Sequence, residues 1–150
     1  MVQIQFAIEG ELQLSRKLRG IAANARDWGP AFKQSADDLV QVFSGPVFET
    51  EGQEIDEKWS PLSKAYALRK TKKFPGTKIL EATGNMRASF MSKYDSMSAT
   101  IWNATEYFKY HQSKEPREKL PRRVMMKLTD SLREMVVKNF HQYFYDTINK

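Results

Sequence analysis

The sequence contains no cysteine, only two histidines and no long apolar run. The absence of cysteine excludes disulfides, thiolate nucleophiles and cysteine-ligated zinc. His111 and His141 stand far apart and in no HExxH-like pattern, so they do not indicate a metal site. A membrane span needs about 20 consecutive apolar residues, which occur nowhere, and residues 1–6 lack the basic start of a signal peptide. We therefore expect no membrane contact.

Residues that would support catalysis are also sparse. The seven glycines are scattered singly, so there is no glycine-rich phosphate loop, and no serine lies in a GxSxG elbow. Glu54, Asp56 and Lys58 resemble the carboxylate-and-lysine grouping that holds Mg²⁺ in some nucleases, but the further acidic residue that such a site needs is not evident. The sequence predicts no catalytic residue, no cofactor and no metal site, hence not an enzyme. A metal-dependent nuclease is kept as the third alternative.

Charge is unevenly distributed along the chain, which has a formal net charge of +6. Every charged residue from Lys58 to Lys78 is basic, and a second basic group at 113–123 is diluted by two glutamates. Such clusters favour contact with nucleic acid or with an acidic protein surface. We predict exposed basic loops at about 70–78 and 113–123. The partner-binding residues predicted there are Lys70, Lys72, Lys73, Lys78, Lys114, Arg117, Lys119, Arg122 and Arg123.

Hydrophobic periodicity predicts the secondary structure. Residues 2–8 alternate as a half-buried strand, an amphipathic helix follows over about 11–27, and a second helix carries apolar residues from Phe32 to Val47, where Pro46 should kink or end it. The elements expected next are a short helix over 65–70, a turn at Pro75-Gly76, a helical piece ending near Phe90, and strands at 91–94 and 99–102 joined by a tight turn at Asp95-Ser96. Residues 107–112 fit either a strand or a helix.

The C-terminal third is expected to contain a loop, a strand and a helix. Val124, Met126 and Leu128 alternate as a short strand, and Thr129 or Asp130 can cap a final helix. Strands lie among helices without a regular β–α alternation, so α+β is the predicted class. We expect a single domain over 1–150, in which a small antiparallel sheet packs against two N-terminal helices and a long C-terminal helix.

Three ordered motifs resemble a known family. The first is Trp59-Ser60-Pro61-Leu62-Ser63 with Tyr66 and Lys70 behind it, the second runs from Ile79 to Phe90, and the third is the segment 107–112 followed by Pro121-Arg122-Arg123. Together, over about 45–145, they resemble the phage virion morphogenesis family, the tail completion proteins of Mu-like and P2-like phages. The residues that the resemblance marks as structural are Trp59, Pro61, Leu62, Thr83, Gly84, His111 and Gln112.

The chain departs from the family pattern at two places. The family usually has glycine soon after His-Gln, where this chain has Ser113-Lys114-Glu115, and it often has Pro-Arg-Pro-Phe where this chain has Pro121-Arg122-Arg123-Val124. These differences concern the shape of one loop.

Elementary chemistry gives the motifs structural roles. Trp59 can anchor an irregular loop by burying about 200 Å², and Pro61 restricts the backbone after it. Gly84 can supply a positive φ, and Met86 and Phe90 are spaced to pack on one helical face. We expect most aromatic side chains to lie in the core or in a protein interface, with base stacking as the alternative.

The resemblance implies a non-enzymatic virion assembly protein that acts late, in tail completion or head–tail joining. It would be found in the virion, at the neck or the head-proximal end of the tail, and in the host cytoplasm during assembly. Its implied partners are other virion proteins (tail tube, tail terminator or head–tail connector) and further copies of itself in a homo-oligomer, possibly a hexameric ring, with DNA contact in a channel. The alternative function is a nucleic-acid-binding module that uses the basic loops.

Overall fold

The computed structural model of the chain describes residues 2–7, 27–113 and 119–149. The predicted helix over 11–27, apart from its last residue, and the end of the predicted first strand lie outside these residues, as do Lys114 and Arg117. The described elements are β1 (Gln3–Ala7), α1 (Gly29–Ser44), α2 (Pro46–Glu49), a 3-10 turn (Gln53–Ile55), α3 (Lys64–Lys73), α4 (Asn85–Ala88), β2 (Phe90–Tyr94), β3 (Ser98–Asn103), α5 (Phe108–Gln112) and α6 (Asp130–Ile148). The predicted α+β class is confirmed.

The three strands form one antiparallel sheet in the order β1-β3-β2. Ile101 of β3 pairs with Ile4 of β1 on one side and with Ser92 of β2 on the other. The hairpin between β2 and β3 is closed by Asp95, whose carboxylate accepts the N–H groups of Met97 at 2.7 Å and Ser98 at 2.8 Å. These hydrogen bonds hold the pKa of the Asp95 carboxyl below its ordinary value. The predicted hairpin and its turn are confirmed.

Helix α1 forms the centre of the described core. Its side chains Phe32, Leu39 and Phe43 are fully buried, and the helix packs on β2, β3 and α6. The helix ends at Ser44, and Pro46 begins the short helix α2, because proline lacks an N–H to continue the first helix but suits a first turn. The predicted effect of Pro46 is confirmed.

Helix α6 packs its aromatic face on the start of α1. The Trp28 ring lies 5.7 Å from that of Phe140 and 5.8 Å from that of Tyr143, and the Tyr143 hydroxyl donates to the Asp27 carbonyl at 2.7 Å. The helix begins after Thr129, whose hydroxyl oxygen accepts the N–H of Leu132 at 3.3 Å. Of the two caps considered from the sequence, the N-cap residue is Thr129.

Thr129→Ala is expected to lower the free energy of unfolding by about 1 kcal/mol, because the Leu132 N–H loses its acceptor. Thr129→Ser keeps the acceptor and should remain within about 0.5 kcal/mol of the wild type. Urea unfolding followed by far-UV circular dichroism measures both changes. Equal losses for alanine and serine would show that the hydroxyl does not act as a cap.

Two predictions about local structure are wrong. Residues 124–128 form no strand, because the side chains of Trp59 and Gln112, and not a neighbouring strand, pair with the backbone of residues 124–126. Met86 and Phe90 do not share a helix, since α4 ends at Ala88 and Phe90 begins β2. Residues 108–112 are helical, which resolves the alternative left open by the sequence, and α3 extends beyond the predicted 65–70.

Candidate partner-binding cleft

The described residues form an open cleft with a volume of about 1270 Å³. Residues from four described parts of the chain line it: 60–63 and α3, the segment between Leu80 and Met86, Tyr107 and α5, and the segment between Lys119 and Arg123. These parts contain residues of all three sequence motifs. The fold therefore brings the motifs together around one surface, which is called the motif cleft below.

Trp59 anchors the first motif beneath the cleft. Its ring is buried and meets that of Phe48 edge to face at a centroid distance of 5.3 Å. The indole N–H donates to the carbonyl of Val124 at 2.7 Å, which joins the first motif to the end of the third. This hydrogen bond satisfies a backbone group that no strand pairs.

Gln112 connects α5 to the same irregular segment. Its side-chain oxygen accepts the N–H groups of Met125 at 2.8 Å and Met126 at 3.1 Å, and its amide nitrogen donates to the Met126 carbonyl at 2.6 Å. One amide thus replaces the hydrogen bonds that a neighbouring strand would provide. The preceding residue, His111, lines the motif cleft and accepts the N–H of Arg123 at its carbonyl, 2.9 Å away.

Arg123 holds the first and third motifs together, and the prediction that it is an exposed partner-binding residue is wrong. Only 4% of the residue is exposed. Its guanidinium donates to the carbonyls of Ser60 at 2.9 Å and Pro61 at 3.2 Å. Burial lowers the pKa of the Arg123 guanidinium, yet arginine stays protonated in proteins. The side chain therefore brings a fixed positive charge into the wall of the motif cleft.

Lys70 is also buried, so its predicted exposure is wrong as well. Its ammonium donates to the carbonyls of Thr77 and Lys78, which fixes the turn after α3. Burial lowers the pKa of Lys70, while Glu81 and Glu51 nearby raise it by a smaller amount. The predicted basic loop at 70–78 is helical as far as Lys73, so only its second part is a turn.

The remaining predicted basic residues that the structure describes are exposed. Lys72 and Lys73 lie in the last turn of α3, and Lys78 donates to the Glu49 carbonyl at 3.0 Å. Arg122 donates to the Gln112 carbonyl at 3.2 Å. Among these predicted residues with exposed side chains, only Lys119 lines the motif cleft.

Several residues of the cleft were not predicted as site residues. Tyr66 and Arg69 line it from α3 together with Lys70, which was predicted as a partner-binding residue, and spacings of three and four residues place these side chains on one face. That spacing, behind the Ser63 N-cap, is the signal that could have identified them. Met86 contributes from α4.

The second motif is shaped by two residues with positive φ. Gly84 has a positive φ of 71°, as expected from the sequence, and it is the N-cap of α4. Leu80 has a φ of 63°, which is uncommon for a residue with a side chain, and it lines the motif cleft. The neighbouring Glu81 does not line the cleft, and its carboxylate accepts a hydrogen bond from the Arg87 guanidinium at 2.6 Å.

Gly84→Ala is expected to lower the free energy of unfolding by about 1–2 kcal/mol, because the new side chain would occupy the left-handed region. Steric overlap adds nothing, since no atom of the described residues comes within 4 Å of a Cβ built there. Gly84→Asn should lose less than Gly84→Ala, because asparagine adopts this conformation more readily. Urea unfolding of both variants is the measurement, and a smaller loss for alanine than for asparagine would contradict strain as the cause.

The acidic cluster considered from the sequence, Glu54, Asp56 and Lys58, is not part of the motif cleft lining. Glu54 is in the 3-10 turn, and Asp56 ends that turn with a φ of 57°. Within residues 2–7, 27–113 and 119–149, no three His, Asp or Glu residues are grouped so that they could hold a metal ion. In the same ranges, no helix has the length and apolarity needed to span a bilayer.

Comparisons of the chain with protein-family models, with curated proteins and with solved structures found no match. The resemblance to the phage virion morphogenesis family therefore stays a prediction from the motifs.

Proposed function

We propose that this protein is a non-enzymatic bacteriophage assembly protein that acts in tail completion or head–tail joining as part of an oligomeric ring. The proposal begins from the ordered motifs and their resemblance to the virion morphogenesis family. The observation that supports it is the convergence of all three motifs, which are distant in sequence, around the motif cleft. Motifs that only filled a core would not need to leave an open surface between them.

The motif residues divide into a supporting group and a displayed group. Trp59, Gln112 and Arg123 make hydrogen bonds that hold irregular backbone in place. Tyr66 and Tyr107 instead line the cleft with 46% and 41% of their surface exposed. Fixed supports beneath exposed tyrosines are typical of protein-binding surfaces.

The proposed partners are other virion proteins, namely the tail tube, a tail terminator or a head–tail connector, together with further copies of this chain. The protein would act in the host cytoplasm during assembly and remain at the neck or the head-proximal end of the tail. A channel lined by the ring would bring exposed basic side chains such as Lys72 and Lys73 near DNA.

Co-purification with the products of neighbouring genes tests this function. We expect a portal, connector or tail-tube protein to be encoded nearby and to retain the full-length chain, with light scattering showing a ring-sized species alone or on the partner. A strict monomer at high concentration that binds none of these proteins would contradict the proposal. A monomer in isolation would not, because some ring proteins assemble only on their partner.

The second candidate function is nucleic-acid binding, which the exposed lysines at the end of α3 favour. A filter-binding assay over a salt series tests it, since each phosphate contact gives about 0.9 log units of affinity loss per decade of salt. Absence of binding at low salt would eliminate this candidate. The nuclease alternative at Glu54, Asp56 and Lys58 would be eliminated by plasmid that stays intact when incubated with the protein and Mg²⁺.

A further inference from the structure

The motif cleft combines an apolar floor with cationic walls. Leu62 and Leu80 are half-buried and Met86 is buried at 4% exposure, so aliphatic side chains form the floor. The exposed side chains of Arg69 and Lys119 stand at the rim. A surface of this kind favours a ligand that carries both apolar groups and negative charge.

The charged side chains that the structure describes in the cleft lining are all of one sign. Among the described residues that line it, the charged side chains are Arg69, Lys70, Lys119 and Arg123, and none is acidic. The ion pairs found within the described ranges involve none of these four residues. Lys70 and Arg123 donate to neutral carbonyls, so these hydrogen bonds do not neutralise their charge.

Two acidic residues in the described part of the chain act on the buried cations from outside the cleft lining. Glu81 and Glu51 raise the pKa of Lys70, and Glu51 also raises the pKa of Arg123, yet neither lines the cleft. The Glu81 carboxylate is already paired with Arg87 at 2.6 Å. Buried cations next to a low-dielectric floor focus positive potential into the open space between them.

We infer that the motif cleft binds an extended acidic segment of a partner virion protein, with an apolar side chain against Leu62, Leu80 and Met86 and carboxylates facing Arg69 and Lys119. The inference rests on the proposed function, which supplies a protein partner. The volume of about 1270 Å³ exceeds that of most small-molecule pockets and suits a stretch of peptide. The exposed rings of Tyr66 and Tyr107 suit either bases or a peptide, so the choice of a peptide rests on the aliphatic side chains of the lining and on the protein partner that the proposed function supplies.

The positive φ of Leu80 agrees with this inference. A leucine in the left-handed region costs about 1–2 kcal/mol relative to ordinary backbone, and such strain is concentrated at functional sites. Here it accompanies a half-buried leucine in the wall of the cleft. An apolar anchor from a partner would cover that side chain.

Fluorescence anisotropy with a labelled peptide tests the inference on the full-length protein. The probe is a short peptide in which glutamates flank a central leucine and phenylalanine; matched peptides replace the glutamates by glutamine or the two apolar residues by serine. We expect saturable binding of the probe, weaker binding of both matched peptides, and weakening by about tenfold or more for the double variant Arg69→Glu/Lys119→Glu.

The control variant is Arg133→Glu/Lys138→Glu, which makes the same change of net charge at exposed positions on α6, outside the lining of the cleft. It should bind the probe within about twofold of the wild type. Equal weakening by both double variants would mean non-specific attraction and would overturn the inference. Should the charge-reversed cleft variant unfold, Arg69→Gln/Lys119→Gln replaces it with the same expected direction.

Two further outcomes overturn the inference. The first is absence of probe binding at millimolar protein. The second is that a single-stranded oligonucleotide binds the wild type more tightly than the probe does and that the cleft variant loses this binding. Failure of the proposed function is distinguished by co-purification. If the wild type and the cleft variant bind neighbouring virion proteins equally well, the proposed function stands and the proposed occupant of the cleft is wrong. If the wild type binds the probe but no virion protein, the cleft does bind acidic peptide and the proposed function is wrong.

Discussion

Trp59→Ala is expected to lower the free energy of unfolding by about 3–5 kcal/mol. The ring is only 3% exposed, so its removal leaves a cavity that the fixed neighbouring backbone cannot fill. The substitution also removes the donor to the Val124 carbonyl, which leaves a buried acceptor without that partner. Both losses act at the point where the first and third motifs meet. Urea unfolding followed by far-UV circular dichroism is the appropriate measurement, because the change removes one fluorophore.

Trp59→Phe separates the two contributions. Phenylalanine retains part of the edge-to-face contact with Phe48 but has no N–H, so this variant should lose about 1–3 kcal/mol. A loss below about 1 kcal/mol for Trp59→Ala would show that the indole does not support the segment, contrary to its burial. Equal losses for both variants would assign the whole effect to the hydrogen bond.

The elements that sequence predicted well are those whose hydrogen bonds are local. Helices α1 and α6 each show an apolar period, and Pro46 and Thr129 mark an end of each, while the β2–β3 hairpin is marked by its turn at Asp95. An apolar period of about 3.6 residues predicts a helix, and one of 2 residues predicts a strand, when one face of the element packs on a core. The alternative at 107–112 stayed open because a short aromatic run fits both periods.

The segment 124–128 was not predictable from the same signal. Val124, Met126 and Leu128 are apolar at alternate positions, as in a half-buried strand, yet Met125 between the first two is also fully buried. The backbone there is satisfied by the side chains of Trp59 and Gln112, from distant parts of the chain. A local pattern carries no information about such partners, so the alternation of Val124, Met126 and Leu128 predicts a strand that the fold does not form.

The candidate site was predictable only in part, for the same reason. The motifs identified the segments that form the cleft, but formal charge predicted exposure for Lys70 and Arg123 because charged side chains are seldom buried. Each is buried because carbonyl oxygens, at Thr77 and Lys78 for the lysine and at Ser60 and Pro61 for the arginine, accept its N–H groups. Of the basic residues that remain accessible in the cleft, Lys119 was predicted from the sequence, whereas Arg69 is identified only by the fold.

Gln112→Ala is expected to lower the free energy of unfolding by about 2–4 kcal/mol. The side chain makes three hydrogen bonds to the backbone of Met125 and Met126, and alanine leaves all three groups without that partner at a part-buried site. Gln112→Glu keeps the acceptor for the two N–H groups but loses the donor to the Met126 carbonyl, so it should lose about 1–2 kcal/mol. Urea unfolding measures both variants.

The matched control is Gln142→Ala, which removes an exposed glutamine from α6 whose amide donates to Asp146 at 2.8 Å. Its loss should stay within about 0.5 kcal/mol, because both partners are exposed to water. A similar loss at the two glutamines would contradict the bridging role of Gln112. Because Trp59 and Gln112 hold the same irregular segment, the double variant Trp59→Phe/Gln112→Ala should deviate from additivity by about 0.5–3 kcal/mol. Strict additivity would mean that the two side chains support the segment independently, and that the first and third motifs do not act as one unit beneath the cleft.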